Sequence, residues 1–272
     1  MSGTEKKETV KSGETKAVAA EETKTHPYQV EEKLPSRGRF YDDAMPDGAI
    51  TIRPITVDEE KIFMGRGSKL KVFDAILSKC ILSPCVPMAE MLMADKFYLL
   101  LVLRSISYGT DYSFKITCPS CHTSFTHAVQ LPKGLQIRIA TKDDTEPYEC
   151  VLPVSKKKLM LRYLRGRDEE DIESYAQNVG TTPGIEDIGD ESYPYQLSKY
   201  IVTIDDEELD AIEKLDFCKA MIGGDSLALR RAIAEHELGI DFTIEAPCRS
   251  CSTTVSTSLP VTAEFFPSGV SR

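Results

Sequence analysis

Tryptophan is absent from the 272 residues, and only four histidines occur: His26, His122, His127 and His236. So sparse a set of imidazoles leaves little for histidine-based catalysis. None of the four stands in a metalloprotease, nucleophile-elbow, Walker or dinucleotide pattern. Long apolar runs are also missing. The longest, Phe97 to Leu103, is far too short for the roughly 20 residues a membrane-crossing helix needs, and the N-terminus carries no apolar leader. Positive charge is in deficit, with 33 Lys and Arg against 43 Asp and Glu, a net charge of −10. Nucleic-acid affinity comes largely from clustered cations, so this balance argues against a general phosphate-binding surface. With no export signal, a reducing compartment follows, where cysteines serve as thiols or metal ligands rather than as a disulfide framework.

Eight cysteines are present, and four of them define the chain. The stretches Tyr112 to Val129 and Asp241 to Leu259 read alike: alternating residues, Cys-x-x-Cys, alternating residues again. In the first, Tyr112, Phe114 and Ile116 lead into Cys118-Pro119-Ser120-Cys121, and Phe125, His127 and Val129 lead out. In the second, Phe242 and Ile244 lead into Cys248-Arg249-Ser250-Cys251, and Thr253, Val255 and Thr257 lead out. Period-2 alternation around a tight turn specifies a β-hairpin. Two such turns face to face would supply four thiolates, the full tetrahedral set of a structural Zn²⁺. With Cys118, Cys121, Cys248 and Cys251 as ligands, no position is left for water or substrate, so one structural zinc per chain is expected. A redox Cys-x-x-Cys opens a helix, which His122-Thr123-Ser124-Phe125 does poorly; His122 is a possible substitute ligand. The alternative reading makes the two pairs unrelated. Cys80, Cys85, Cys150 and Cys218 stand singly among apolar neighbours and read as small core residues.

The pairs lie more than a hundred residues apart, so a split ribbon must carry an insert. Zinc in small finger peptides contributes about 10–16 kcal/mol, enough to offset closing a long loop whose entropy grows only logarithmically. The fold class is therefore α+β: a helical N-terminal part and two β-hairpins forming a split four-cysteine zinc ribbon, with an inserted α+β subdomain. Boundaries follow from composition. Residues 1–33, polar and charged, read as a disordered tail; 34–131 and 239–261 form the core; 132–238 form the insert; 262–272 form a C-terminal tail in which Phe265 and Phe266 either return to the core or plug a neighbouring subunit.

Within this frame Ile50, Ile52 and Ile55 mark a strand ended by Pro54. Thr56 and Glu59 form a capping box for a helix from Val57 to about Met64. Gly65 to Lys69 reads as a turn between helices, without the spacing of a phosphate loop. Leu70, Phe73, Ile76, Leu77 and Cys80 share a helical face, and a second, apolar helix spans Met93 to Ser107. In the insert, strands are expected at 135–140, 148–154 and 159–164. Helices are expected at 168–179, 195–204, 209–222 and 226–238, the last capped by Asp225 and stopped by Gly239, and 180–190 is a loop. The acids from Asp205 to Asp210 lack EF-hand spacing and read as a solvated helix start. The strip from Leu34 to Tyr41 either lies across a partner or packs on its own chain.

In this order, Leu-Pro-Ser-Arg-Gly-x-Phe-Tyr at 34–41, Ile-x-Ile-Arg-Pro-Ile-Thr-x-x-Glu-Glu at 50–60, Arg-Ser-Ile-Ser-Tyr-Gly at 104–109, Cys-Pro-Ser-Cys at 118–121, Ala-Leu-Arg-x-x-Ile, and Gly-Ile-Asp ahead of the final Cys-Arg-Ser-Cys resemble the baseplate hub family of T4-type contractile-tailed bacteriophages, from about Leu34 to Pro260. The resemblance implies a structural or assembly component of the central baseplate hub and no enzymatic role. Its partners would be other phage tail proteins, with neither a small-molecule substrate nor a membrane span, and its location the virion tail after assembly in the host cytoplasm. A zinc-ribbon nucleic-acid or transcription module is the alternative, to which Lys115, Lys133, Arg138 and Arg249 lend a little positive charge. A metalloenzyme or redox protein is a third.

Overall fold

A computed structural model describes residues 27–63, 68–180, 190–261 and 265–266. The first element is a three-stranded antiparallel sheet in the order β1 (Val30–Lys33), β2 (Ala49–Ile52), β3 (Ile81–Ser83). Alternation in β2 buries Ile50 and Ile52 on one face. Strand β1 corrects the sequence expectation, because 30–33 lie in the stretch read as disordered. An edge strand needs little more than main-chain pairing, here Val30 with Ile52 through Lys33 with Ala49, and its outward Glu31 and Lys33 give no apolar signal. Residues 1–26 lie outside the described residues.

The strip after β1 packs on its own chain. Leu34 and Ser36 are fully buried, the Ser36 N–H donates to Asp95 Oδ1 at 3.0 Å, and the Tyr41 hydroxyl donates to Asp95 Oδ2 at 2.8 Å. Gly38 explains why the turn needs glycine: its φ is +74°, and a Cβ there would stand 1.8 Å from the Met45 carbonyl oxygen.

Helix α1 (Val57–Phe63) begins at the expected box, with a difference. Glu59 accepts from the Thr56 N–H, but its carboxylate also takes a bidentate pair of bonds from Arg53, both at 3.0 Å. Helix α2 (Lys69–Cys80) is capped by the Ser68 hydroxyl, which accepts from the Lys71 N–H. The rest of the 65–69 turn lies outside the described residues. Helix α3 (Met93–Tyr108) is buried nearly all round, as its apolar run requires. It ends at Gly109, with φ of +93°, and delivers the chain into the first hairpin.

That hairpin pairs β4 (Asp111–Thr117) with β5 (Ser124–Gln130). Between the hairpins follow β6 (Gln136–Arg138), β7 (Tyr148–Val151), β8 (Lys158–Leu161), α4 (Gly166–Gly180), α5 (Ser192–Tyr200), β9 (Ile201–Ile204), α6 (Ala211–Lys219) and α7 (Gly223–His236). The expected helix 195–204 stops at Tyr200, since Ile201-Val202-Thr203-Ile204 is β-branched and pairs with β8 in the sheet β7-β8-β9. Asp225 does not cap α7. Ile222 occupies the cap position, and the Asp225 carboxylate instead accepts from the N–H groups of Val154 and Ser155. Asp210 does cap α6, in a full box with Glu213. Residues 181–189, read as a loop, lie outside the described residues.

The chain returns through β10 (Gly239–Asp241), which pairs with β6, to the second hairpin, β11 (Thr243–Pro247) with β12 (Thr254–Ser258). Phe265 and Phe266 are fully buried against this chain, with Phe266 stacked 5.1 Å from Phe63. Apolar residues of every part share one core. Lys96, 1% exposed, ties three helices at its centre through Asp74 of α2 at 2.5 Å and Glu169 of α4 at 2.6 Å. Among the described residues no helix is long and apolar enough to cross a membrane.

Candidate metal centre

Each hairpin turn is built by the same main-chain bonds. In the first, Cys118 N–H donates to the Thr123 carbonyl at 3.0 Å and His122 N–H to the Cys118 carbonyl at 2.9 Å. In the second, Cys248 N–H donates to Thr253 and Ser252 N–H to Cys248, both at 2.9 Å. The residue after the second cysteine of each pair turns the chain with positive φ, +57° at His122 and +60° at Ser252. The alternation of the strands thus leads into two alike knuckles, each with its first cysteine buried and its second more open to solvent.

The topology brings the knuckles together. Cys118 Sγ lies 3.7 Å from Cys251 Sγ, Cys121 Sγ lies 3.7 Å from Cys248 Sγ, and all four sulfurs fall within 4.8 Å of one another. A disulfide needs about 2.05 Å, so these are free thiols. A regular tetrahedron with sulfur arms of about 2.3 Å has edges of about 3.8 Å, close to the two cross-hairpin distances. The donor set fits a closed four-sulfur metal centre. His122 is not part of the cluster.

Local donors prepare two of the sulfurs for metal. The Thr253 hydroxyl stands 3.3 Å from Cys251 Sγ, and its hydroxyl and N–H together hold the Cys251 thiol down to about 6. The hydroxyl and N–H of Thr123 lower Cys121 in the same way. A thiolate is the form that binds metal. Each Cys-x-x-Cys joins two strands, without the helix start that a redox pair uses.

The remaining cysteines divide. Cys80, Cys150 and Cys218 are buried, and desolvation pushes the Cys80 and Cys218 thiols up to about 12. Cys85 is exposed, contrary to its reading as a core residue, because Pro84 and Pro87 carry it through a surface turn rather than along α2. Of the cations near the hairpins, Arg138 is committed to Asp144 at 2.6 Å. Lys115, Lys133 and Arg249 are exposed. His127 packs edge-on against Phe114, and His236 stacks on Tyr148 at 4.2 Å. His26 lies outside the described residues.

The chain is thus a mixed α+β protein with one four-thiol cluster among its described residues. Comparison with known families places it. The family model described as T4 bacteriophage base plate protein matches residues 26–267, and the chain belongs to that family. It is accordingly a structural baseplate component of a phage tail, whose interactions are with other tail proteins. No curated protein and no solved structure matches the chain.

Proposed function

We propose that the protein is a zinc-stabilised component of the central hub of a contractile-tail baseplate and that it acts through protein–protein contacts alone. One Zn²⁺ per chain is held by Cys118, Cys121, Cys248 and Cys251 in a split ribbon. The ribbon belongs to a core of residues 34–131 and 239–261, and 132–238 is a subdomain inserted between its halves. The observation that carries this reading is the pairing of two alike knuckles with their sulfurs at tetrahedral spacing. Four sulfur ligands leave the metal no open position, so its role is to fix the two hairpins to each other. The charge of −10 weighs against nucleic acid as the partner.

Two measurements test this. Metal analysis of the purified chain should give one zinc, lost together with the fold in Cys118→Ser. Quantitative mass spectrometry of purified tails and of their assembly precursors should find the chain at fixed stoichiometry, and cross-linking should place it beside hub subunits. A metal-free native chain would remove the zinc, and cross-links confined to the baseplate periphery would remove the hub.

A further inference from the structure

An apolar cavity of about 400 Å³ opens between α3, the sheet β7-β8-β9, helices α5 and α7 and the far end of the second hairpin. Phe97, Tyr200, Ile233 and Phe242 line it while only half-buried, so aromatic and aliphatic surface faces an open depression. Phe97 and Phe242 meet edge to face at 5.7 Å, which fixes one wall. The volume is within the range of about 300–1,000 Å³ typical of sites that take a compact ligand or a few side chains. Through Glu237, Leu238, Ile240 and Phe242, shared by both, the cavity continues into a second, more polar depression of about 610 Å³ that reaches Asp241 and Arg138.

Charge is one-sided where the two meet. No lysine or arginine lines the apolar cavity. Glu237 is exposed at the border of both depressions, and its carboxylate has no ion-pair partner among the described residues; partial loss of solvent, then nearby Asp241, raises it above the usual carboxyl range. Arg138 is already engaged by Asp144 at 2.6 Å and by the His236 carbonyl at 2.9 Å. An occupant that suits both halves therefore carries an apolar group beside a cation.

We infer that this double depression receives a segment of another tail protein, in which an aromatic or branched aliphatic side chain fills the apolar cavity and an adjacent Lys or Arg meets Glu237 and Asp241. This rests on the reading of the chain as a hub component working through protein contacts. A buried anchor with a charge-assisted contact at its edge is the usual make-up of an energetic centre in an interface. A continuous groove suits a chain passing through better than a compact small molecule. The walls come from stretches far apart in sequence, Phe97 and Phe242 from the core and Tyr200 and Ile233 from residues 132–238. An occupant would therefore press the two parts together.

The test begins by selecting 12-residue peptides from a random displayed library on the full chain, with counter-selection on Ile233→Trp, whose larger ring fills the cavity. Because the chain has no tryptophan, Tyr200→Trp then supplies a single fluorophore at the cavity for titration. Enriched peptides should share an aromatic, Leu or Ile next to Lys or Arg, shift that fluorescence, and bind Glu237→Gln at least five-fold more weakly. Gln196→Lys, an exposed change at the cavity mouth that leaves the core untouched, should weaken them similarly even if Ile233→Trp fails to fold. Peptides lacking the apolar-plus-basic pair, affinity indifferent to Glu237→Gln and Gln196→Lys, or no enrichment would overturn the inference. So would fluorescence of the isolated chain already shielded from iodide, which would mean that its own segment fills the site. A signal that depends on the concentration of the chain itself would point to a second copy as the occupant and would overturn it equally. Presence in tails is measured separately, so none of these outcomes touches the hub reading.

Discussion

Arg104 Nε donates to the carbonyl oxygen of Phe265 at 2.9 Å, across 161 positions of sequence. The same guanidinium donates to the Gly109 carbonyl at 2.6 Å and reaches that of Asp111 at 3.4 Å. One side chain thus closes the end of α3, steers the chain into the first hairpin and anchors the two phenylalanines. Arg104→Met should strand these carbonyls and destabilise the protein by about 2–4 kcal/mol. Phe266→Ala should cost about 3–5 kcal/mol by emptying its site among Phe63, Phe73 and Tyr108. Urea midpoints at constant slope would check both.

Glu59 gives an acid-side prediction. Its hydrogen bonds from Arg53 lead the causes that hold its carboxyl down to about 2. A depressed carboxyl stabilises the fold fully above its unfolded value of about 4.3, and that contribution fades as pH falls toward 2. Glu59→Gln should therefore lose about 2–3 kcal/mol at pH 7. The gap from the parent should shrink between about pH 4.5 and 2, measured by denaturation across that window.

Lys96 should respond in the opposite direction. Lys96→Met leaves the half-buried Asp74 and Glu169 without their cation and should cost about 3 kcal/mol at neutral pH. Burial already raises the Glu169 carboxyl. A raised carboxyl takes its proton in the native state before the unfolded one, so the variant should regain stability as pH falls from neutrality toward the ordinary carboxyl range. A deficit that stays constant over that range would show that Glu169 keeps its charge.

Removal of metal should expose all four thiols of the cluster together. In the zinc-bound chain Cys118, Cys121, Cys248 and Cys251 should resist alkylation, and chelation should make the four reactive in step with loss of the fold. His122→Gly and Ser252→Gly should relieve positive φ and stabilise the zinc-bound chain by up to about 1 kcal/mol each. Peptide-resolved alkylation and thermal melts are the measurements.

What could be read from sequence was local. The seven residues from Phe97 to Leu103 announce a buried helix, and period-2 runs around Cys-x-x-Cys announce the hairpins. Strands β1 and β3 were harder, because three or four residues are held there by main-chain pairing that side-chain pattern barely records, whereas the four β-branched residues of β9 do announce a strand, against the helix expected there. The sulfur cluster was legible because its chemistry repeats. The partners of Lys96, Asp95, Arg104 and Asp225 were not, since each is satisfied by a group far along the chain, and no local rule says which. The Glu237 cavity was hidden for the same reason: its walls come from stretches scattered between Leu92 and Val261.

The separation of the two knuckles also sets an order of events during synthesis. Cys121 and Cys248 are 127 positions apart. At about 5–20 residues per second, the first half of the cluster leaves the ribosome many seconds before the second can exist. Until then the early pair is an incomplete set of donors that any thiol reagent or stray ion can reach. Closure of the four-sulfur cluster is therefore a signal that translation has passed Cys251. A ribosome that stalls anywhere between the two hairpins releases a chain that cannot assemble it.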